Sequence, residues 1–270
     1  MSTHSSDTHR HAYSVAIALN NIGVRLLEKH DFSGACTAFK DAISAIQLSF
    51  RHSVDSDVSD LATPRAAMFE SEDRLRLASQ RLSNSNKKGV STQSELPIVV
   101  IPSNEWKSSA MKLLLNQTRA TSVGICVCIE TSIDWGLHGV HDEKDVELTA
   151  AILLQNMGFS QICLARMQVD KGTSNKALTR AAKVLRVGHF ILQNQIRASP
   201  EDHLRYTQQT IAAAMHLNTI GVLLFSRGSL LEAHSTHASL TRVIKRMAEE
   251  SEFFVGITDS SIEKHTAAAA

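Results

Sequence analysis

Two stretches of the chain repeat one pattern of residues. Residues 19–35 read LNNIGVRLLEKHDFSGA, and residues 217–233 read LNTIGVLLFSRGSLLEA. In each copy, apolar residues recur at three- and four-residue steps, then comes a short polar stretch, and then a second apolar stripe. Because the polar stretch is so short, the two helices must fold back on each other as an antiparallel pair. The pattern therefore predicts two helical hairpins far apart in the chain.

Small residues stand at equivalent points of both copies. The spacing from glycine to alanine is the same, from Gly23 to Ala35 and from Gly221 to Ala233. A glycine inside a helix costs about 1 kcal/mol relative to alanine, so we expect each one to mark a close approach of two helix axes.

His237 falls on the inward stripe of the later hairpin and is expected to be an interior histidine with a hydrogen-bond partner.

A weaker third copy lies between these two. In AAILLQNMGFSQICLA, residues 150–165, Gly158 follows the same apolar stripe as Gly23 does in the first copy. The spacing from Gly158 to Ala177 is longer than in the other copies, and the polar stretch VDKGTSN is the natural place for the extra residues. We therefore expect a third hairpin in the middle of the chain.

The pattern resembles that of the tetratricopeptide (TPR) family of helical-hairpin repeats. Gly23, Ala35, Phe39 and Ala42 match in order the small, small, aromatic and small residues of that family. Gly221 and Ala233 match in the later copy, where His237 and Leu240 depart from the pattern, and terminal repeats are often atypical. The resemblance implies a short, irregular α-solenoid that binds a peptide or protein in its concave face and is not an enzyme.

By the same resemblance, the first helix of each hairpin lines that concave groove. The residues implied to face a partner are Asn20, Asn21, Val24, Asn156, Asn218 and Val222. Asparagine carries both a donor and an acceptor, which suits holding the backbone of an extended peptide. The alternative is that Asn20 and Asn218 form hydrogen bonds within the stack of helices. The groove has few cations, so a clamp for a terminal carboxylate is not expected.

Between the first and second hairpins the apolar pattern changes. LPIVVIP and SVGICVCIE are short, and the second alternates Val123, Ile125, Val127 and Ile129 with small residues, which predicts two β-strands. The serine-rich stretch before them is expected to be disordered at its end. The expected units are a disordered N-terminus 1–11, hairpin 12–50, weak helix and serine-rich loop 51–95, β-hairpin-like insertion 96–145, hairpin 146–194, hairpin 195–250 and tail 251–270.

Composition and motifs limit the function. The net charge of +1 argues against nucleic acid as the main partner. The polar N-terminus lacks the apolar core of a secretory signal, and no apolar run reaches the roughly 20 residues that cross a bilayer, which favours a cytoplasmic or nuclear protein. Phosphate-binding loops, nucleophile elbows and paired CxxC motifs are absent from the sequence, and no cofactor is expected.

Three function classes follow from these observations. The first is a non-enzymatic TPR-like adaptor or scaffold. The second is a structural homo-oligomer that assembles through the β insertion or an exposed helix face, because uncovered strand edges recruit partners. The third is a metal protein or enzyme using Cys126, Cys128, His138 and His141, although structural burial of the cysteines is favoured over this site.

Overall fold

The computed structural model describes residues 3–54, 62–85, 98–101, 109–110, 112–114, 124–129, 143–198 and 203–267. The chain is mainly helical with a small two-stranded parallel sheet, which confirms the expected class of a mainly α protein with an inserted two-stranded β element. The named elements, in chain order, are α1 Thr3–Glu28, α2 Phe32–Val54, α3 Ala62–Ser85, β1 Ile98–Ile101, β2 Gly124–Val127, α4 Glu143–Met167, α5 Lys171–Ala198, α6 His203–Ser226 and α7 Leu230–Ala267.

The long helices pair in sequence across tight turns. The turn after α1 has His30 in the left-handed region with φ of 59°, and the turn after α6 has Gly228 there with φ of 76°. In both turns the next amide reaches back five residues, from Asp31 to the carbonyl of Leu26 and from Ser229 to that of Leu224. These bonds satisfy carbonyls that the end of a helix leaves open. Two hairpins therefore share one type of turn.

Aspartate side chains fix where two of the second helices begin. Asp31 accepts a hydrogen bond from the amide of Gly34 at 2.9 Å and so caps α2. Asp170 accepts one from the amide of Thr173 at 2.7 Å and caps α5. Each cap satisfies one of the free amides of a helix N-terminus.

The helices also contact one another between the pairs. α2 packs on α4, α5 packs on α6, and α4 packs on α6, while α3 packs against α1 and α2. A continuous series of contacts therefore runs from α1 to α7 through helices alone.

The two strands are parallel, with Ile98 opposite Gly124 and Ile101 opposite Val127. The expectation of a β-hairpin-like insertion was therefore wrong. A hairpin needs antiparallel strands, whereas parallel strands need a long connection, and the chain between β1 and β2 is long enough to supply one. β2 contacts α1, α4 and α6, the first helix of each pair.

Three apolar clusters form the core. One joins α1, α2, α4, α5 and α6 around Phe39 and Phe159, and it also holds Cys126 of β2. A second contains Ile125 and Val127 together with residues of α4, α6 and α7. The third consists of helical residues of α1, α2, α3 and α4. The strand β2 thus contributes to two of the three clusters.

Both ends of the chain are more helical than expected. α1 begins at Thr3, where the sequence predicted a disordered N-terminus, and α7 continues to Ala267, where it predicted a tail. Extending an existing helix adds a hydrogen bond for each residue fixed, without a second nucleation cost. His11 of α1 also contacts Glu72 of α3 at 3.2 Å. α3 corresponds to the weak helix expected within residues 51–95, and residues 86–95 lie outside the described residues.

Two helical stretches are long and apolar enough to cross a membrane by length and composition, namely Val146–Met167 and Arg205–Ser226. Their apolar windows are 78% and 61% buried within the fold, respectively. Such burial is consistent with core helices of a soluble protein.

Candidate functional site

The candidate site is a groove across α1, α4 and α6 that holds an extended stretch of the same chain. We call this stretch, residues 124–129, the seated segment; it comprises β2 and the two residues after it. Ile125, Cys126 and Val127 are all buried, while Cys128 and Ile129 are partly exposed. The surface where these three helices contact the seated segment is therefore covered by the chain itself.

Two asparagines each bind both main-chain groups of one residue in the seated segment. Asn156 accepts a hydrogen bond from the amide of Val127 at 3.1 Å and donates one to its carbonyl at 2.9 Å. Asn21 does the same at Ile129, with distances of 2.9 Å and 2.7 Å. A neighbouring β-strand bonds alternate residues in this two-point way. The asparagines therefore take the place of a third strand on the edge of β2 that faces away from β1.

A third asparagine links the two helices beneath the segment. Asn20 donates to the carbonyl of Val127 at 3.1 Å, and its own side-chain oxygen accepts a hydrogen bond from Asn156 at 2.8 Å. Both side chains are fully buried, so each of these bonds satisfies a group that water cannot reach. The carbonyl of Val127 thus receives donors from α1 and from α4.

The amides come from equivalent positions of the repeated pattern. The sequences LNNIG, LQNMG and LNTIG begin at residues 19, 154 and 217. Asn20, Gln155 and Asn218 therefore hold the same place in three helices. Sequence reasoning missed Gln155, which donates to the carbonyl of Ile125 at 3.3 Å. Its register with Asn20 was the signal that could have found it.

The remaining residues predicted to line the groove are also covered. Val24 and Val222 are buried in the same cluster as Cys126. Asn218 lies on α6 and is 8% exposed. Of the six predicted groove residues, only Asn21 is more than slightly exposed in this structure. The sequence indicated which residues surround the groove but gave no sign that the chain fills it.

The predicted packing glycines differ from one another. A Cβ at Gly23 would lie 2.7 Å from the ring of Phe39, and one at Gly158 would lie 2.5 Å from Leu185. At Gly221 a Cβ would meet no atom of the described residues within 4 Å, so the expected close approach at that position was wrong. Among the described residues, no helix backbone approaches α6 closely at that position.

The signature residues of the second helices are buried in the first hairpin but not in the last one. Ala35, Ala42 and Phe39 are fully buried on α2. Ala233 is only half-buried on α7, and His237 is exposed, so the expectation of an interior histidine was wrong. Among the described residues no later helix packs on α7, and its outer positions remain open to solvent.

The groups that bond the main chain of the seated segment are uncharged side-chain amides. The charged Glu28 and Arg25 act on the thiol of Cys128 near the end of the segment. The buried thiols themselves resist ionisation. Burial raises the pKa of Cys126 well above its usual range, and the nearby Cys163 thiol acts in the same direction. Burial also raises the pKa of Cys163 to about 12. Amides and apolar side chains around Val127 suit an uncharged, extended main chain.

The alternative metal site is only partly described. Cys126 and Cys128 are free cysteines, and His138 and His141 lie outside the described residues. Within the described part of the chain, no group of three or more histidine, cysteine, aspartate or glutamate side chains is arranged to hold a metal ion.

Comparisons with protein-family models, with curated proteins and with solved structures returned no match for this chain.

Proposed function

We propose that the chain is a non-enzymatic protein-interaction module that holds an extended segment of a partner protein across α1, α4 and α6. The observation that carries this proposal is the pair of two-point contacts that Asn156 and Asn21 make with main-chain groups. Main-chain groups are common to all peptides, so this grip suits any segment that can lie extended.

Side-chain pockets would then set the preference among extended segments. Ile125 and Val127 enter one apolar cluster, and Cys126 enters another. In a strand, successive side chains point to opposite faces, so a bound segment would place its residues alternately in these two clusters. Affinity would come from the main-chain bonds, and specificity from the sizes of the alternate side chains.

The architecture proposed for this module is a short TPR-like solenoid. Three helix pairs follow in order, and the second helix of one pair packs on the first helix of the next. The first helix of each pair supplies a polar residue at the same repeat position, and two turns share a left-handed residue. Stacked hairpins of this kind bury a continuous core and leave a concave surface along their first helices.

The chemistry of the groove supports binding rather than catalysis. Side-chain amides do not titrate in the physiological range, and the raised pKa of the Cys126 thiol keeps it protonated. Neither kind of group supplies the general base or activated nucleophile that a hydrolytic or transfer enzyme needs.

A peptide-library selection tests the proposal. Two forms of the purified chain serve as bait: the wild type, and Val127→Pro, in which proline removes the amide that Asn156 binds and so weakens the hold on the seated segment. We expect enriched peptides to share an extended apolar pattern. Their binding to Val127→Pro should fall at least about 10-fold when Asn21→Ala is added, because each peptide would lose two hydrogen bonds, worth about 1 kcal/mol each.

Asn175→Ala is the matched control, because Asn175 is an exposed asparagine on α5 and lies away from the groove. Failure of both baits to select any peptide that depends on Asn21 would refute the proposal. Light scattering of the same preparations measures their mass in solution and so tests the alternative function. A stable dimer that is unchanged by Asn21→Ala would instead favour a structural homo-oligomer.

A further inference from the structure

The groove in this structure already has an occupant. With the seated segment in place, Asn20 and Asn156 are fully buried and bonded to Val127. Val24 and Val222 are buried beside Cys126. A partner segment cannot reach these side chains unless the seated segment leaves.

We propose that the seated segment is an internal pseudo-ligand that closes the groove, and that a partner binds by displacing it with a segment of the same chemistry. This inference rests on the proposed function and adds its regulation. The binding surface would be closed in the isolated chain and opened by competition.

The helical framework does not depend on the seated segment. Contacts run from α1 to α2, from α2 to α4, from α4 to α5, from α5 to α6 and from α6 to α7, and none of these links passes through a strand. The third apolar cluster contains no buried strand residue, and Cys126 is the one strand residue among the fully buried members of the first. Departure of the segment would therefore open the second cluster most and leave the pairing of the helices in place.

The seated segment also specifies what can replace it. A replacement needs free amide and carbonyl groups at alternate residues, to meet Asn156 and Asn21. It needs apolar side chains where Ile125 and Val127 enter the second cluster, and a small one where Cys126 enters the first. The partner segment is thus an uncharged, extended stretch that alternates β-branched with small residues.

The seated segment competes strongly for the groove because both belong to the same chain. A segment that belongs to the same chain as its groove competes as an intramolecular ligand, at an effective concentration on the order of millimolar. If the groove is closed more than about nine-tenths of the time, the apparent dissociation constant of a partner rises about 10-fold or more. A partner must therefore make further contacts or be present at high local concentration.

A direct test uses the chain's own sequence as the probe. A fluorescein-labelled synthetic peptide TSVGICVCIE, which copies residues 121–130, is titrated under reducing conditions against the full-length wild type and against Val127→Pro. We expect the variant to bind the peptide at least about 10-fold more tightly, since its own segment competes poorly. The same peptide with an N-methyl group on the valine that copies Val127 should bind neither form, because it lacks the N–H that donates a hydrogen bond to Asn156.

The outcomes separate this inference from the proposed function. Equal binding to wild type and variant that is lost in Asn21→Ala would overturn the closure and leave the interaction module standing. No binding to either form would overturn the closure, and the library selection would then decide the proposed function separately.

Hydrogen exchange of the wild type provides a second measurement that does not depend on how Val127→Pro folds. In a displaceable segment, the amides of Val127 and Ile129 exchange through local opening, at least about 10-fold faster than the amide of Phe159 inside α4. Exchange of all three at the rate of global unfolding would show that the segment leaves only when the helices unfold, and this would overturn the proposal.

Discussion

Asn156→Ala removes the side chain that joins the seated segment to both α4 and α1. The change deprives the amide of Val127 of its acceptor and the side-chain oxygen of Asn20 of its donor. The carbonyl of Val127 keeps one donor, since Asn20 also bonds it at 3.1 Å. Two fully buried groups thus lose a partner.

Each buried group left without a partner costs about 1–3 kcal/mol, so the free energy of unfolding should fall by roughly 2–6 kcal/mol. Equilibrium unfolding in urea, followed by circular dichroism, measures the change. Asn175→Ala, at an exposed position on α5, should stay within about 0.5 kcal/mol of the wild type. In a double-mutant cycle with Asn20→Ala, the coupling energy should be about 1–3 kcal/mol, because the two side chains share a bond and an acceptor.

A loss for Asn156→Ala no larger than that of the exposed control would refute the reasoning. It would mean that the amide of Val127 and the oxygen of Asn20 find other partners at no cost. The same result combined with a coupling energy near zero would show that the asparagines do not hold the segment as a unit.

Three further changes test the packing and the ionisable groups. Gly23→Ala should destabilise the chain by about 1–3 kcal/mol through a clash with an aromatic ring, whereas Gly221→Ala should be neutral or stabilising by up to about 1 kcal/mol, and thermal unfolding of the pair compares them. Burial lowers the pKa of His216 to about 4, so the unfolded chain binds the proton first as the pH falls below the usual value of 6.5. From pH 7 to pH 5 this group should therefore remove about 2 kcal/mol of stability, a loss that disappears in His216→Gln when urea midpoints are compared. Burial raises the pKa of Cys163 to about 12, and its alkylation at pH 8 should be slower than that of the partly exposed Cys128, as mass spectrometry of labelled peptides would show.

The helices could be predicted because their signal is local. Apolar stripes with a helical period marked all three pairs, and the polar stretches between the stripes marked the turns. The predicted helices were too short at both ends of the chain, because α1 begins at Thr3 and α7 reaches Ala267. The polar residues before residue 12 carry no stripe, so their helical state depends on the helix they extend.

The face of a residue on its helix was easier to predict than its exposure. The stripe on α7 runs through His237, yet that side chain is exposed. Gly221 sits where Gly23 does in its own hairpin, yet no described atom comes near the place where its Cβ would be. Periodicity gives the side of a helix, whereas burial requires a neighbour on that side. Among the described elements, the outer helix α7 packs on α6 alone.

For the candidate site, the sequence by itself determined where the amide side chains stand and what they can bond. The repeated LNNIG, LQNMG and LNTIG place amide side chains at matching positions of three helices, and an amide can bond to any extended main chain. Only the tertiary structure decided what lies there. The bonds from Asn20 and Asn21 to the seated segment join residues more than a hundred apart in sequence. Such a contact exists because folding places α1, α4 and α6, the first helices of the three pairs, against one extended segment. No local pattern of residues records that the chain returns to lie there.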